Sequence, residues 1–236
     1  GAVAANGRFA LATQGKEGAS DLTVYLENGE VQFTYSFAQD YITSLALSAD
    51  GTSGIVCTVR SQGGELVSKV TVFQFDQADP VTQYESRDNL LLGASWGENG
   101  MLYAVGDSSL LWARASDLAF SEYSYQGRSP TAFRLEGGQA YVSISAYEHA
   151  GTSTLLVFRD AGDPVEIQAE ARIQALSVSG GTVGALIGQE LVLYDASTGS
   201  ELARADAGSD AQSIALSSES TAYVLGVSEV RRIQVR

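Results

Sequence analysis

Cysteine is all but missing from this sequence. Cys57 stands alone, so no internal disulfide can form. Histidine is just as scarce, with only His149, and one Cys plus one His is no basis for a zinc site. Lysine occurs only as Lys16 and Lys69, and 14 basic residues face 28 acidic ones, a formal net charge of −14. A surface this acidic repels phosphate backbones and anionic headgroups, which sets aside nucleic-acid and peripheral membrane binding. No apolar run approaches the ~20 residues of a membrane-spanning helix. No secretory signal is present, and Gly1 reads as a residual tag residue ahead of strand-like sequence. No amphipathic helix stands out; the nearest candidate, Ala113–Ala119, is too short.

What the sequence has is strands. Runs of four to eight Val, Leu, Tyr, Phe, Ile and Thr residues alternate with Gly, Asp, Asn and Ser, the pattern of strands joined by tight turns. The turns recur. Asn6-Gly7, Asp50-Gly51, Asn99-Gly100, Gly137-Gly138 and Gly180-Gly181 each sit between two apolar runs and suit two-residue hairpins. The intervals between their last glycines are 44, 49, 38 and 43 residues. A period of ~40–50 residues holding four strands is the signature of propeller blades.

A second series of strand ends supports the first. It includes Val24 to Gly29, Val72 to Asp76, Leu111 to Asp117, Leu156 to Gly162 and Leu193 to Gly199. Ser44 to Ser48 and Ser213 to Ser217 are near copies of one inner strand, with large residues flanking a small one. Arg134 breaks that pattern where other copies hold Ala46, Ser95, Ser177 and Ala215, so it needs a carboxylate or backbone carbonyl as partner. The expected fold is all-β, one β-propeller domain over residues 1–236 with about six four-stranded blades. The blades fall near residues 1–40, 41–88, 89–128, 129–171, 172–210 and 211–236. The last blade is incomplete, with three strands ending at Val230–Val235, while Ala2 to Ala5 already reads as an inner strand. The missing strand is therefore expected upstream of Gly1, and Arg231, Arg232 and Arg236 would blunt the open edge.

Several stretches resemble known propellers. Leu47-Ser48-Ala49-Asp50-Gly51 is similar to the turn of TolB-like and WD-repeat propellers, and Leu193 to Leu202 resembles a quinoprotein-type repeat. The quinoprotein docking tryptophan is absent after Thr198-Gly199, so no quinone cofactor is expected, and none of another kind. Most of the chain, through Val24 to Gly29, Tyr41 to Gly51 and Ala222 to Ile233, resembles a bacterial family of unknown function. That resemblance implies a propeller ectodomain behind a single N-terminal transmembrane helix absent from this chain. It implies an extracytoplasmic, cell-surface location and carries no known active site.

Nucleophilic catalysis finds no support, because a nucleophile needs an adjacent base. His149 reads as an exposed loop residue and Cys57 as a small buried hydrophobe in a strand. The acidic turns Asp160 to Asp163 and Asp206 to Asp210 lack the spaced oxygen ligands of a calcium loop, so no metal is expected. The loops entering the inner strands carry Asp40, Arg87, Asp88, Arg128, Arg172 and Asp210, which should ring one mouth of a central channel. The expected function is a non-catalytic binding or scaffolding propeller recognising a protein, peptide or glycan of the cell envelope. The alternative is a hydrolase or lyase using those same carboxylates and arginines.

Overall fold

The computed structural model describes residues 1–146 and 151–235. His149 and Arg236 lie outside them. The chain forms two compact units, Gly1–Ser124 and Tyr125–Arg236. Both are built from antiparallel meanders in which each strand pairs with its sequence neighbour. Among the described residues, five sheets have four strands and the sixth has three.

In the first unit, the first sheet holds β1 (Ala2–Val3), β2 (Phe9–Gln14), β3 (Ser20–Tyr25) and β4 (Val31–Phe37). The second holds β5 (Tyr41–Leu47), β6 (Ser53–Gln62), β7 (Glu65–Gln74) and β8 (Thr82–Arg87). The third holds β9 (Leu91–Trp96), β10 (Met101–Gly106), β11 (Ser109–Arg114) and β12 (Ser121–Ser124). In the second unit, the fourth sheet holds β13 (Ser129–Glu136), β14 (Gln139–Ser145), β15 (Ser153–Phe158) and β16 (Val165–Ala169). The fifth holds β17 (Ile173–Ser179), β18 (Thr182–Ile187), β19 (Glu190–Asp195) and β20 (Glu201–Asp206). The last holds β21 (Ser213–Ser218), β22 (Thr221–Leu225) and β23 (Val230–Gln234).

Sheet-on-sheet packing explains why the middle strands lack alternation. β10, β15 and β18 are buried at every position because both of their faces are covered. In the first unit, Leu22, Val24, Phe33 and Phe37 of the first sheet pack on Val56, Phe73 and Phe75 of the second. Ile55, Cys57, Val70 and Val72 on the opposite face of that second sheet meet Leu102, Ala104 and Leu111 of the third. In the second unit, Leu155, Val157 and Ile167 meet Val183, Ala185, Val192 and Tyr194, while Leu186, Leu191 and Leu193 face Ile214, Ala222 and Val224. Each middle sheet thus spends both faces on apolar contacts, the arrangement that drives the folding of such repeats.

The turns differ in length from the two-residue expectation. Gly137-Gly138 and Gly180-Gly181 do form two-residue hairpins, with Glu136 paired to Gln139 and Ser179 to Thr182. Asn6-Gly7 and Asn99-Gly100 close three-residue loops, in which Ala4 N bonds Arg8 O at 2.8 Å and Gly97 N bonds Met101 O at 2.8 Å. Asp50-Gly51 lies in a longer loop, where Ser48 N reaches Ser53 O at 3.0 Å. In these longer loops a right-handed turn comes first and one glycine, such as Gly51 at φ +62°, returns the chain to the strand.

Arg134 is exposed, against the expectation that a burial penalty applies to it. Its Nε donates to Leu176 O at 2.8 Å, so it has the expected carbonyl partner, on the neighbouring sheet. Among the described residues no strand pairs with the far side of β23. Arg231 on that strand is ion-paired with Asp210 and Glu229, and Arg232 is exposed.

Candidate functional site

The six loop residues singled out by the sequence divide between the units. In the first unit Asp40, between β4 and β5, is held by Arg60 Nη1 at 3.1 Å and Lys69 Nζ at 3.5 Å. Arg60 Nη2 also meets Glu85 at 2.7 Å, and Arg87 stands 3.6 Å from Glu85 and from Glu65. Asp40 and Arg87 therefore belong to one ion-pair chain that staples the long β6–β7 hairpin to β8. Asp88 adopts φ +57° in the next loop, where its carbonyl accepts the Ser108 hydroxyl at 2.8 Å. In the second unit Arg128 donates to Tyr125 O and Thr154 Oγ1, both at 3.1 Å. Asp210 is paired with Arg231. Arg172 is exposed just before β17 and has no ion pair among the described residues. Five of the six thus make hydrogen bonds or ion pairs within their own unit.

Cys57 is fully buried, and burial pushes its thiol up to about 12. At neutral pH it is a small uncharged hydrophobe, as its strand position suggested.

A cavity of a different kind opens in the second unit, between the outer strands of the fourth and fifth sheets. It encloses about 360 Å³. Its origin is legible in the register of the fifth sheet. The inner strands present Val183, Ala185 and Ile187 to the fourth sheet, and Ile167 of β16 packs on them. On the outermost strand the same face changes character: Arg204 lies opposite Val192, and Glu201 opposite Tyr194. Charged side chains are costly to bury in an apolar seam, and at this rim they line a groove instead. Ile167, Ile187 and Val192 form its apolar floor.

The polar wall is mostly acidic. Glu166, Glu170, Glu190 and Glu201 line it, against the one guanidinium of Arg204. Arg204 is committed to two of them. Its Nη1 meets Glu190 at 2.7 Å, while Nε and Nη2 grip both oxygens of Glu201 at 3.0 and 2.9 Å. That fork holds the Glu201 carboxyl below the usual carboxylate range. Glu170 has no hydrogen bond or ion pair of its own among the described residues.

Tyr194 completes the groove. It is only 5% exposed, it lines the cavity, and its hydroxyl has no hydrogen-bond partner among the described residues. Tyr141, by contrast, donates to Gln139 at 2.6 Å. Burial raises the Tyr194 phenol above its ordinary range, and the Glu201 and Glu170 charges add to the rise. A tyrosine with a buried ring keeps its hydroxyl at a polar partner or at water, and this hydroxyl opens to the groove, where a group from outside can reach it.

The groove ends at the Asp195 to Gly199 turn. Asp195 Oδ1 accepts from Ser197 N and Thr198 N at 2.8 Å and from Ser197 Oγ at 2.5 Å. Gly199 follows at φ +73°, and a Cβ there would lie 3.1 Å from Ile167, so only glycine fits both the backbone and the cavity wall. These hydrogen bonds, that of the Ser197 hydroxyl first, lower the Asp195 carboxyl from 3.8 to about 2. A depressed carboxylate stabilises the turn at all pH values above its unfolded pKa and loses that contribution as pH falls. The protection factors of the Ser197 and Thr198 amides, their exchange relative to the intrinsic rate, should therefore stay flat above pH ~4 and fall between about pH 4 and 2. An Asp195 carboxyl titrating near 4 by NMR would contradict this account of the turn.

Sequence reasoning passed over this groove because its residues come from two sheets about thirty positions apart. Leu193 to Gly199 was visible as a repeat turn, but the partner wall of Glu170 and Ile167 was not. Among the described residues no three His, Cys, Asp or Glu side chains sit close enough together to hold a metal ion.

The architecture is shared with a solved structure, the C-terminal WD40 domain of Sif2. The two agree with a TM-score of 0.60 at 13% sequence identity, over 92% of this chain. The match spans 62% of that domain, less than two-thirds of its length, and shows the fold: a β-propeller. No curated protein matches the chain in sequence. A family model, described as a family of unknown function (DUF5711), matches residues 1–128, more than half of the 236. The chain belongs to that family of unknown function, DUF5711.

Proposed function

We propose that this chain is a non-catalytic binding module whose ligand enters the groove between the fourth and fifth sheets. One observation carries the reading: the Tyr194 ring is buried while its hydroxyl, without a hydrogen-bond partner among the described residues, opens onto a cavity lined in part by Ile167, Ile187 and Val192. A concave site that joins apolar cover to a few convergent polar groups is a usual form of ligand site, and this groove sets Ile167, Ile187 and Val192 beside Tyr194 and four carboxylates. Acid–base chemistry is less well served there. A general acid needs a carboxyl raised toward neutrality, and the Glu201 carboxyl is lowered by Arg204. A groove of about 400 Å³ in the first unit, around Arg8, Gln32, Thr52 and Asp76, has no apolar side chain in its wall.

A fragment screen observed by protein NMR, with cationic, neutral and anionic compounds in equal number, tests this. Shifts should concentrate on Ile167, Ile187, Val192 and Tyr194. Hits that cluster elsewhere and leave these four unmoved would overturn the reading.

A further inference from the structure

From the chemistry of the groove we infer that its ligand is a primary alkylammonium, presented as the lysine side chain of a peptide. This rests on the groove being the binding site. Four carboxylates and one arginine line the cavity, and the Glu170 carboxylate has no ion pair of its own among the described residues, so the site favours a cation. The carboxylates do not converge on a point that could hold a metal ion. An organic cation fits the spread arrangement better, because its charge lies at one end of a chain that itself needs cover. Ile167, Ile187 and Val192 offer that cover to methylene groups. Lysine suits the remaining polar groups better than arginine does. A guanidinium seeks a two-oxygen carboxylate fork, and the Glu201 fork is already filled by Arg204. An ammonium needs only separate single acceptors, which the Glu170 carboxylate and the Tyr194 hydroxyl oxygen supply. Arg204 has a positioning part: from β20 it holds the Glu190 and Glu201 carboxylates in place by hydrogen bonds.

The test uses the intact chain and four probes: an acetylated, amidated Ala-Ala-Lys-Ala-Ala peptide, its norleucine and arginine counterparts, and spermidine. NMR titration should show the lysine peptide shifting Tyr194 and Ile167, with the norleucine peptide about tenfold weaker or worse, as befits a lost charged hydrogen bond. Affinity should fall as salt rises. Tyr194→Phe should lower affinity about tenfold while leaving the melting temperature equal or higher, because the lost hydroxyl had no partner in the fold. Glu170→Gln should weaken binding by a similar factor. A norleucine or arginine peptide that binds in the groove as well as the lysine peptide would sink the ammonium assignment and leave the groove's role intact. Spermidine binding more tightly than the lysine peptide would overturn the peptide as source. A Tyr194→Phe variant that loses stability would show the hydroxyl to be structural and remove the ground for both readings.

Discussion

Replacing Phe73 by alanine should cost about 3–5 kcal/mol of unfolding free energy, the range for a large aromatic removed from a packed core. Phe73 is fully buried on β7 and sits where the first and second sheets meet. Its ring lies 4.9 Å from Tyr35, 5.5 Å from Phe33 and 6.2 Å from Phe37, so four aromatic side chains share one contact. Truncation opens a void that neighbouring β-strands cannot close, since their positions are fixed by the hydrogen-bond ladders on both sides. With about 2–4 °C per kcal/mol for a chain of this size, the melting temperature should fall by roughly 6–20 °C. Phe9, stacked on Tyr25 at 4.8 Å but half-buried, should cost distinctly less when truncated. Equal losses at the two positions, by chemical denaturation, would contradict this placement of the core.

The second large effect is expected at Gly106. A Cβ at this position would stand 1.9 Å from Asn89 Oδ1. Asn89 is itself buried and pins the β8–β9 loop by accepting from Ser108 N and Ser109 N at 3.2 Å and from Ser108 Oγ at 3.1 Å. Gly106→Ala must therefore either displace Asn89 or push β10 away from it. Overpacking alone costs about 1–3 kcal/mol, and each buried donor left without its acceptor adds about 1–3 more. Asn89→Gly removes the obstacle, so in the Gly106→Ala background it should cost much less than it does alone. Strict additivity of the two changes would show that they do not meet.

The architecture was legible because one physical period recurs. Glycine-bearing turns every four strands, and strands apolar on both faces, follow directly from sheets stacked on sheets. The lengths of those turns were not legible. Whether Asn99-Gly100 closes two residues or three depends on where the ladder ends, and here Gly97 N bonds Met101 O and Ala115 N bonds Gly100 O, both at 2.8 Å. Arg134 misled for a related reason. A strand position that other copies fill with small residues suggests burial, yet its side chain runs across to Leu176 O on the next sheet and stays exposed. The groove is the clearest gap. Its acids are unremarkable among 28, and only the registers that set Arg204 opposite Val192 and Glu201 opposite Tyr194 show which charges line that rim.

The most direct test of the account is a crystal structure grown with the lysine peptide in excess. The account predicts the peptide's ammonium within hydrogen-bond reach of the Tyr194 hydroxyl and the Glu170 carboxylate, with its methylenes against Ile167 and Val192. A peptide bound elsewhere, or a groove in which the Tyr194 hydroxyl bonds to a protein carboxylate and the cavity is closed, would contradict it.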